Sequence, residues 1–285
     1  KAAILLSSKS AVTLPILLRA LTMELRPYQK ECIEAIAAKG NGRYLCCLAT
    51  GMGKTVIFAN IPRCGNTLIL SHRQELVMQP LKYFDCETAI EMGGNKGSYL
   101  GRPIAPVLSA SIQTMSRRAE CYAPDAFHTI VVDEAHHAAS ESYKKVLNYF
   151  APQRLIGFTA TPNRSDGQGL ETVFDEIIFQ KDLRYGIENG YLSPISCKRV
   201  NIGYDLRGVS SRMGDYSAKD LDRVVNVDKC NDAIAEVVSD LAEMPCLIFA
   251  VDVKHAEEIA KRIPGAVALS ADSKNRYEVI EAYKR

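Results

Sequence analysis

A chain of 285 residues has room for one large or two medium domains, each with a sizeable core. With 47% hydrophobic and 24% charged residues it reads as an ordinary water-facing globular protein, which excludes a disordered or low-complexity chain. The 35 Lys and Arg against 33 Asp and Glu leave a net charge of +2, which neither demands nor excludes a polyanionic partner.

Residues 1–22 read as an extension upstream of the first methionine, Met23, or as a leading helix. A helical pattern follows over 26–39, then a buried-strand run over 43–50. Further strands are expected at 67–71, 105–110, 128–135 and 154–161, with helices at 54–61, 73–84 and 140–150 between them. This alternation predicts an α/β fold, a parallel sheet with helices on both faces, over 23–195. Residues 196–228 are polar and glycine-punctuated, and read as a connector. Alternation resumes over 229–285, with helices at 231–243, 252–263 and 273–285 and strands at 246–250 and 266–270. Two strands start a second α/β unit but do not complete a doubly wound sheet, so the chain is expected to be a fragment.

Nine cysteines, with no C-x-x-C pair, indicate neither a zinc site nor a disulfide framework. Several lie in apolar runs and read as small core residues, which fits a reducing cytosol. No apolar run is long enough for a membrane span, and no membrane partner is expected.

Two stretches carry the chemistry. "LATGMGKT" (48–55) follows a strand and opens a helix, as a phosphate-binding loop does, although Leu48 stands where the first glycine is usual. Thr50, Gly51, Met52, Gly53, Lys54 and Thr55 form the nucleotide-binding set. The glycines let backbone N–H groups face a phosphate chain, Lys54 reaches the β- and γ-phosphates, and the Thr55 hydroxyl holds Mg²⁺. The alternative is a plain glycine-rich turn. Some eighty residues later, "IVVDEAHH" (130–137) delivers two acids at the end of an apolar strand, on the edge where open α/β sheets bind ligands. Asp133 is placed to hold the metal and Glu134 to polarise the attacking water. Together the two stretches point to a bound nucleotide with Mg²⁺.

With "DEAH" at 133–136 the chain resembles the superfamily 2 helicases. "LRPYQ" (25–29) resembles the segment of that family that reads adenine, with Gln29 as its candidate. "LILSHRQELVMQ" (68–79) resembles motif Ia, "SASIQTMSR" (109–117) the S-x-Q-T segment, "LIGFTATPNRSDGQG" (155–169) motif III, and "CLIFAVDVKHAEEIAKRI" (246–263) motif IV. The T-A-T-P form resembles the restriction-enzyme, repair and phage branch, which acts on double-stranded DNA. The resemblance implies a RecA-like ATP-binding domain, an incomplete second RecA-like domain, and movement along nucleic acid driven by ATP hydrolysis.

It also implies roles for further residues. His136 would link the nucleotide site to motif III, where Thr159 and Thr161 would couple the γ-phosphate to closure of the two halves. A bland reading of that segment is a turn. Ser71, His72, Arg73, Ser111, Gln113 and Thr114 follow strands and are candidate contacts to a nucleic-acid backbone, DNA more than RNA. Ser71 and Ser111 fit helix caps equally well. His137 has no such assignment and reads as packing. The motif V and motif VI segments, with their arginine finger, are not found in these 285 residues. The chain alone is therefore expected to bind ATP and hydrolyse it poorly; a non-hydrolysing ATP- or DNA-binding module and an RNA helicase are the alternatives.

Overall fold

Seven strands of the chain pair edge to edge into one sheet. The computed structural model describes residues 24–97, 104–161, 169–197, 199–201, 203–212, 215–240 and 245–283. The expected extension at 1–22 lies outside these residues, as does the 162–168 portion of the motif III segment. The chain divides into two units, Lys1–Pro194 and Ile195–Arg285.

In the first unit the described elements run in order α1 (Pro27–Lys39), β1 (Gly42–Leu48), α2 (Lys54–Ala59), β2 (Thr67–Ser71), α3 (Gln74–Met78), β3 (Thr88–Glu91), β4 (Val107–Ser111), α4 (Ile112–Arg118), β5 (Thr129–Asp133), α5 (Glu141–Phe150), β6 (Arg154–Thr159), β7 (Glu176–Lys181) and α6 (Leu183–Glu188), joined in places by short 3₁₀ turns. The strand order is β3-β4-β2-β5-β6-β1-β7, and every pairing is parallel. All C-terminal strand ends therefore lie on one rim.

Alternation along each strand divides the core. Leu45, Cys47, Leu68, Leu70, Ile130 and Val132 face the layer holding α4 and α5, where Met115, Tyr143 and Phe150 are buried. Cys46, Leu48, Ile69, Val131, Ile156 and Phe158 face the layer holding α1 and α2, against Tyr28, Ile36 and Ile57. Covering both faces requires strands with continuously apolar centres, as residues 68–70 of β2 and 130–132 of β5 are. The helix expected over 73–84 is α only to Met78 and continues as 3₁₀ over Gln79–Tyr83. Pro80 lacks the N–H that an α-helical ladder would need there.

The second unit contains a two-residue hairpin, β8 (Ser211–Arg212) with β9 (Asp215–Tyr216), followed by α7 (Ala218–Val225), α8 (Asp228–Ser239), α9 (Val253–Ala260) and α10 (Arg276–Tyr283). The expected connector thus carries a hairpin and a helix. Buried His255 fastens α9 to α8, its Nε2 lying 3.1 Å from Asn231 Oδ1. The strands expected at 246–250 and 266–270 are not strands among the described residues. Apolar sequence alone does not make a strand; a hydrogen-bonded neighbour does. Leu247 and Phe249, 66% and 89% exposed, pair with none.

Candidate nucleotide and nucleic-acid site

The sheet order decides which motifs meet. β6 lies between β5 and β1, so the loops after these three strands converge on one stretch of the rim. Leu48 is still part of β1 and is fully buried, so a glycine there has no task. The chain turns at Gly51 and Gly53, whose φ angles of 85° and 70° are left-handed. A Cβ on Gly53 would stand 2.7 Å from Gln29 Nε2, and one on Gly51 2.9 Å from a Leu192 methyl. Met52 buries its side chain, and its carbonyl accepts hydrogen bonds from Tyr28 Oη at 2.7 Å and Gln29 Nε2 at 3.4 Å. Gln29 Oε1 accepts from the Arg26 N–H at 2.9 Å. Gln29 therefore braces the loop through both ends of its amide. Thr50 and Gly51 are exposed at the loop tip, and Thr55 is partly exposed in the first turn of α2.

Lys54 opens α2 and is only 9% exposed. Its Nζ donates to the Leu48 carbonyl at 3.4 Å and lies 4.0 Å from Glu134 Oε1. Asp133 ends β5 at 4% exposure, and its Oδ1 accepts from the Glu134 N–H at 3.0 Å. Burial pushes its carboxyl pKa up to about 6, with the Glu134 charge adding to the rise and the Glu134 N–H and Lys54 opposing it. Glu134 adopts φ 51°, an unusual backbone for a residue with a side chain. Strain of this kind clusters at functional sites. His136 Nδ1 lies 3.4 Å from Glu134 Oε2 and 3.3 Å from Thr159 Oγ1. Thr159 Oγ1 in turn accepts from the Thr161 N–H at 3.1 Å.

These features fit a Mg²⁺–nucleoside triphosphate. They combine a left-handed glycine turn, a buried ammonium and a buried carboxylate that protein dipoles alone do not hold fully ionised. Thr55 and Asp133 would hold the metal. A carboxyl whose pKa rises on folding withdraws stability at pH above that value and returns it as pH falls. The Asp133 penalty is therefore complete above about 6 and gone below the ordinary value of 3.8. Asp133→Asn is expected to raise the stability of the nucleotide-free protein at pH 7.5 by on the order of 1–3 kcal/mol. The gain should shrink towards zero by about pH 4 in denaturant titrations. A gain that stayed constant across that range would rule out ionisation as its source.

The remaining rim carries the backbone-contact candidates. Arg73 and Gln113 are exposed, and Gln113 Nε2 donates to the His72 carbonyl at 3.0 Å, tying the β4 end to the β2 end. Burial, aided by Arg73 and His136, holds His72 below its ordinary pKa. The two serines are not presented to solvent. Ser71 is fully buried with its hydroxyl on the Leu76 carbonyl at 3.5 Å. Ser111 caps α4, accepting from the Thr114 N–H at 3.3 Å. Thr114 Oγ1 accepts from Ser111 at 2.9 Å and from the Gly93 N–H at 3.3 Å.

Three parts of the site were not read from the sequence. Strand β7 flanks β1, and its Lys181 carbonyl accepts from the Ala49 N–H at 3.1 Å at the base of the loop. Tyr191 packs on Tyr28, ring centroids 4.7 Å apart, with the Arg26 guanidinium 5.4 Å from the Tyr191 ring. Glu91, buried at the end of β3, pairs with Arg118 and accepts from Tyr122 Oη at 2.6 Å and the Gly97 N–H at 2.8 Å, fixing the turn that carries Gly93. The apolar run in "EIIFQK" was the available signal for β7.

Residues 22–164 match the family described as type III restriction enzyme, res subunit. Among curated proteins, the chain is 32% identical to IRC3 of Saccharomyces cerevisiae, named as an ATP-dependent helicase, over 83% of this chain and 38% of that protein. It is 29% identical to the type I restriction enzyme EcoAI endonuclease subunit of Escherichia coli, over 84% of this chain and 34% of that one. The chain thus spans well under half the length of either relative. Among solved structures, a fragment of an HsdR subunit of a type I restriction enzyme from Vibrio vulnificus superposes with a TM-score of 0.58 at 22% identity, over 93% of this chain and 48% of that one. The fold is shared with it.

Proposed function

The chain belongs to the family of type III restriction enzyme res subunits, and from that premise we propose that it is the nucleotide-binding part of an ATP-driven motor moving along duplex DNA. The observation that carries this reading is the meeting of the Lys54 ammonium with Glu134 at 4.0 Å, beside the buried Asp133, on the rim of one parallel sheet.

Thr55 and Asp133 would hold Mg²⁺, which when bound would supply positive charge against the phosphate oxygens. Lys54 binds the phosphate chain, and the turn at Gly51 and Gly53 lets backbone N–H groups approach it. Glu134 orients the attacking water and takes its proton, a task for a partly exposed carboxylate with a cation at 4.0 Å. His136 holds Glu134 and Thr159 together, so a change at the nucleotide reaches motif III through two short contacts.

A backbone-gripping motor needs phosphate contacts rather than base contacts, which Arg73 and Gln113 suit. The T-A-T-P form and the restriction-enzyme relatives support DNA over RNA. No helix among the described residues is long and apolar enough to cross a membrane. Cys32, Cys46, Cys47 and Cys230 are buried as small core residues, a use of cysteine that suits a reducing compartment such as the cytoplasm. Phosphate release by the full-length protein should rise with duplex DNA more than with single strands or RNA. Equal or greater stimulation by RNA would move the assignment to an RNA motor, and no stimulation by any of them would refute it.

A further inference from the structure

β2 and β5 are hydrogen-bonded neighbours, so the segments leaving their C-terminal ends run side by side. His72 leaves β2, and His137 lies in the 3₁₀ turn after β5. The His72 and His137 rings are 4.4 Å apart between centroids at 59°, and the His136 and His137 rings are 4.1 Å apart at 47°. At one end of this row, His72 is held by Gln113 at its carbonyl and by Arg73, whose Nε lies 3.2 Å from His72 Nε2. At the other end, His136 contacts Glu134 and Thr159. A continuous line of contact thus runs from the exposed residues of the β4–β2 rim to the water-polarising carboxylate at β5 and the threonine at β6.

The three rings do not make a metal site: among the described residues no group of three His, Cys, Asp or Glu side chains could hold an ion. Ring-on-ring contact is a directional packing interaction. Burial, with Arg73 and His136 adding to it, holds the His72 pKa below its ordinary value, which disfavours a cation at that end of the row. A shift of His72 when a strand engages Arg73 and Gln113 would displace the next ring by contact. The inference rests on the nucleic-acid-dependent ATPase reading above.

We propose that His137 is a positioning residue that passes occupancy of the β4–β2 rim by a nucleic-acid backbone to the ATP-cleaving groups, through its ring contacts with His72 and His136. Coupling between sites is a difference between two occupied states, so it is read as a ratio of rates rather than as a single rate.

The test uses the full-length protein with a defined DNA duplex, comparing His137→Ala, His137→Leu and His137→Phe for basal phosphate release, stimulated release and duplex affinity. Leucine keeps bulk without a ring, and guards against alanine merely loosening the turn. The expected result is basal release and duplex affinity within about twofold of the unsubstituted protein, with the stimulation ratio down by about tenfold in the Ala and Leu variants and largely restored by Phe. A structural role would lower basal and stimulated rates in parallel, along with the melting temperature, and would overturn the proposal. So would an unchanged ratio, or a Phe variant no better than Leu. If the unsubstituted protein is not stimulated by any nucleic acid, the motor reading falls and this inference with it. A stimulated parent with an indifferent His137 sinks the inference alone.

Discussion

Replacing Glu134 with glutamine is expected to reduce ATP turnover by about 10²–10⁴-fold while leaving nucleotide affinity within a few-fold, the range ascribed to removing one general base. Glutamine keeps the length and planarity of the side chain and loses the charge and the ability to take a proton. The loss should therefore fall on the chemical step. The carboxylate is placed by three devices: the left-handed backbone at 51°, the Lys54 ammonium at 4.0 Å, and His136 Nδ1 at 3.4 Å. Only the first is independent of its charge, so some disorder of the amide is expected as well. Single-turnover phosphate release beside fluorescent-nucleotide binding separates the two effects. Near-normal turnover with glutamine at 134 would remove this residue from the chemistry.

The second large effect is expected at Lys54. Substitution by alanine should weaken ATP binding by about a hundredfold, roughly 3 kcal/mol, the worth of one or two hydrogen bonds to a charged group. The ammonium is nearly buried, and among the described residues its partners are the Leu48 carbonyl and Glu134. Neither replaces a phosphate as a counter-charge: a carbonyl at 3.4 Å is a weak acceptor, and 4.0 Å is the outer limit of an ion pair. The same substitution removes the cation that holds the Asp133 carboxyl down, so that pKa should move further above 6. Binding of ATP with and without Mg²⁺ measures both consequences. Unchanged affinity in the alanine variant would mean that the loop does not hold phosphate.

Much of this was legible before the structure. β2 was delimited to the residue, and β5 and β6 within two residues, because strands covered on both faces must be apolar throughout and stop where polar residues begin. The two acids could be placed on the rim because they end such a strand. Edge strands were less visible. β7 has only one neighbour, so EIIFQK mixes exposed and half-buried positions and lacks the unbroken apolar signature. Side-chain partnerships across the sheet could not be read at all. That Gln29 would brace Met52, or that His72 would meet His137, depends on strand order, and strand order is not written in local periodicity. Ser71 shows the limit most directly. Its type and position suit a backbone contact, yet its hydroxyl turns inward to Leu76.

The sheet order also has a consequence for biogenesis. β1 lies early in the chain but is flanked by β6 and β7, whose partner residues are more than a hundred positions downstream. The carbonyl that receives the Ala49 N–H belongs to Lys181. A nascent chain that has emerged from the ribosome only as far as β5 has made the phosphate loop's sequence but none of its flanking strands. Pairings across such separations carry a heavy loop-closure cost and form slowly. The glycine loop is thus translated before the strands that flank it and assembled near the end of this unit's folding, and until then the apolar β1 segment lacks the neighbours that cover it.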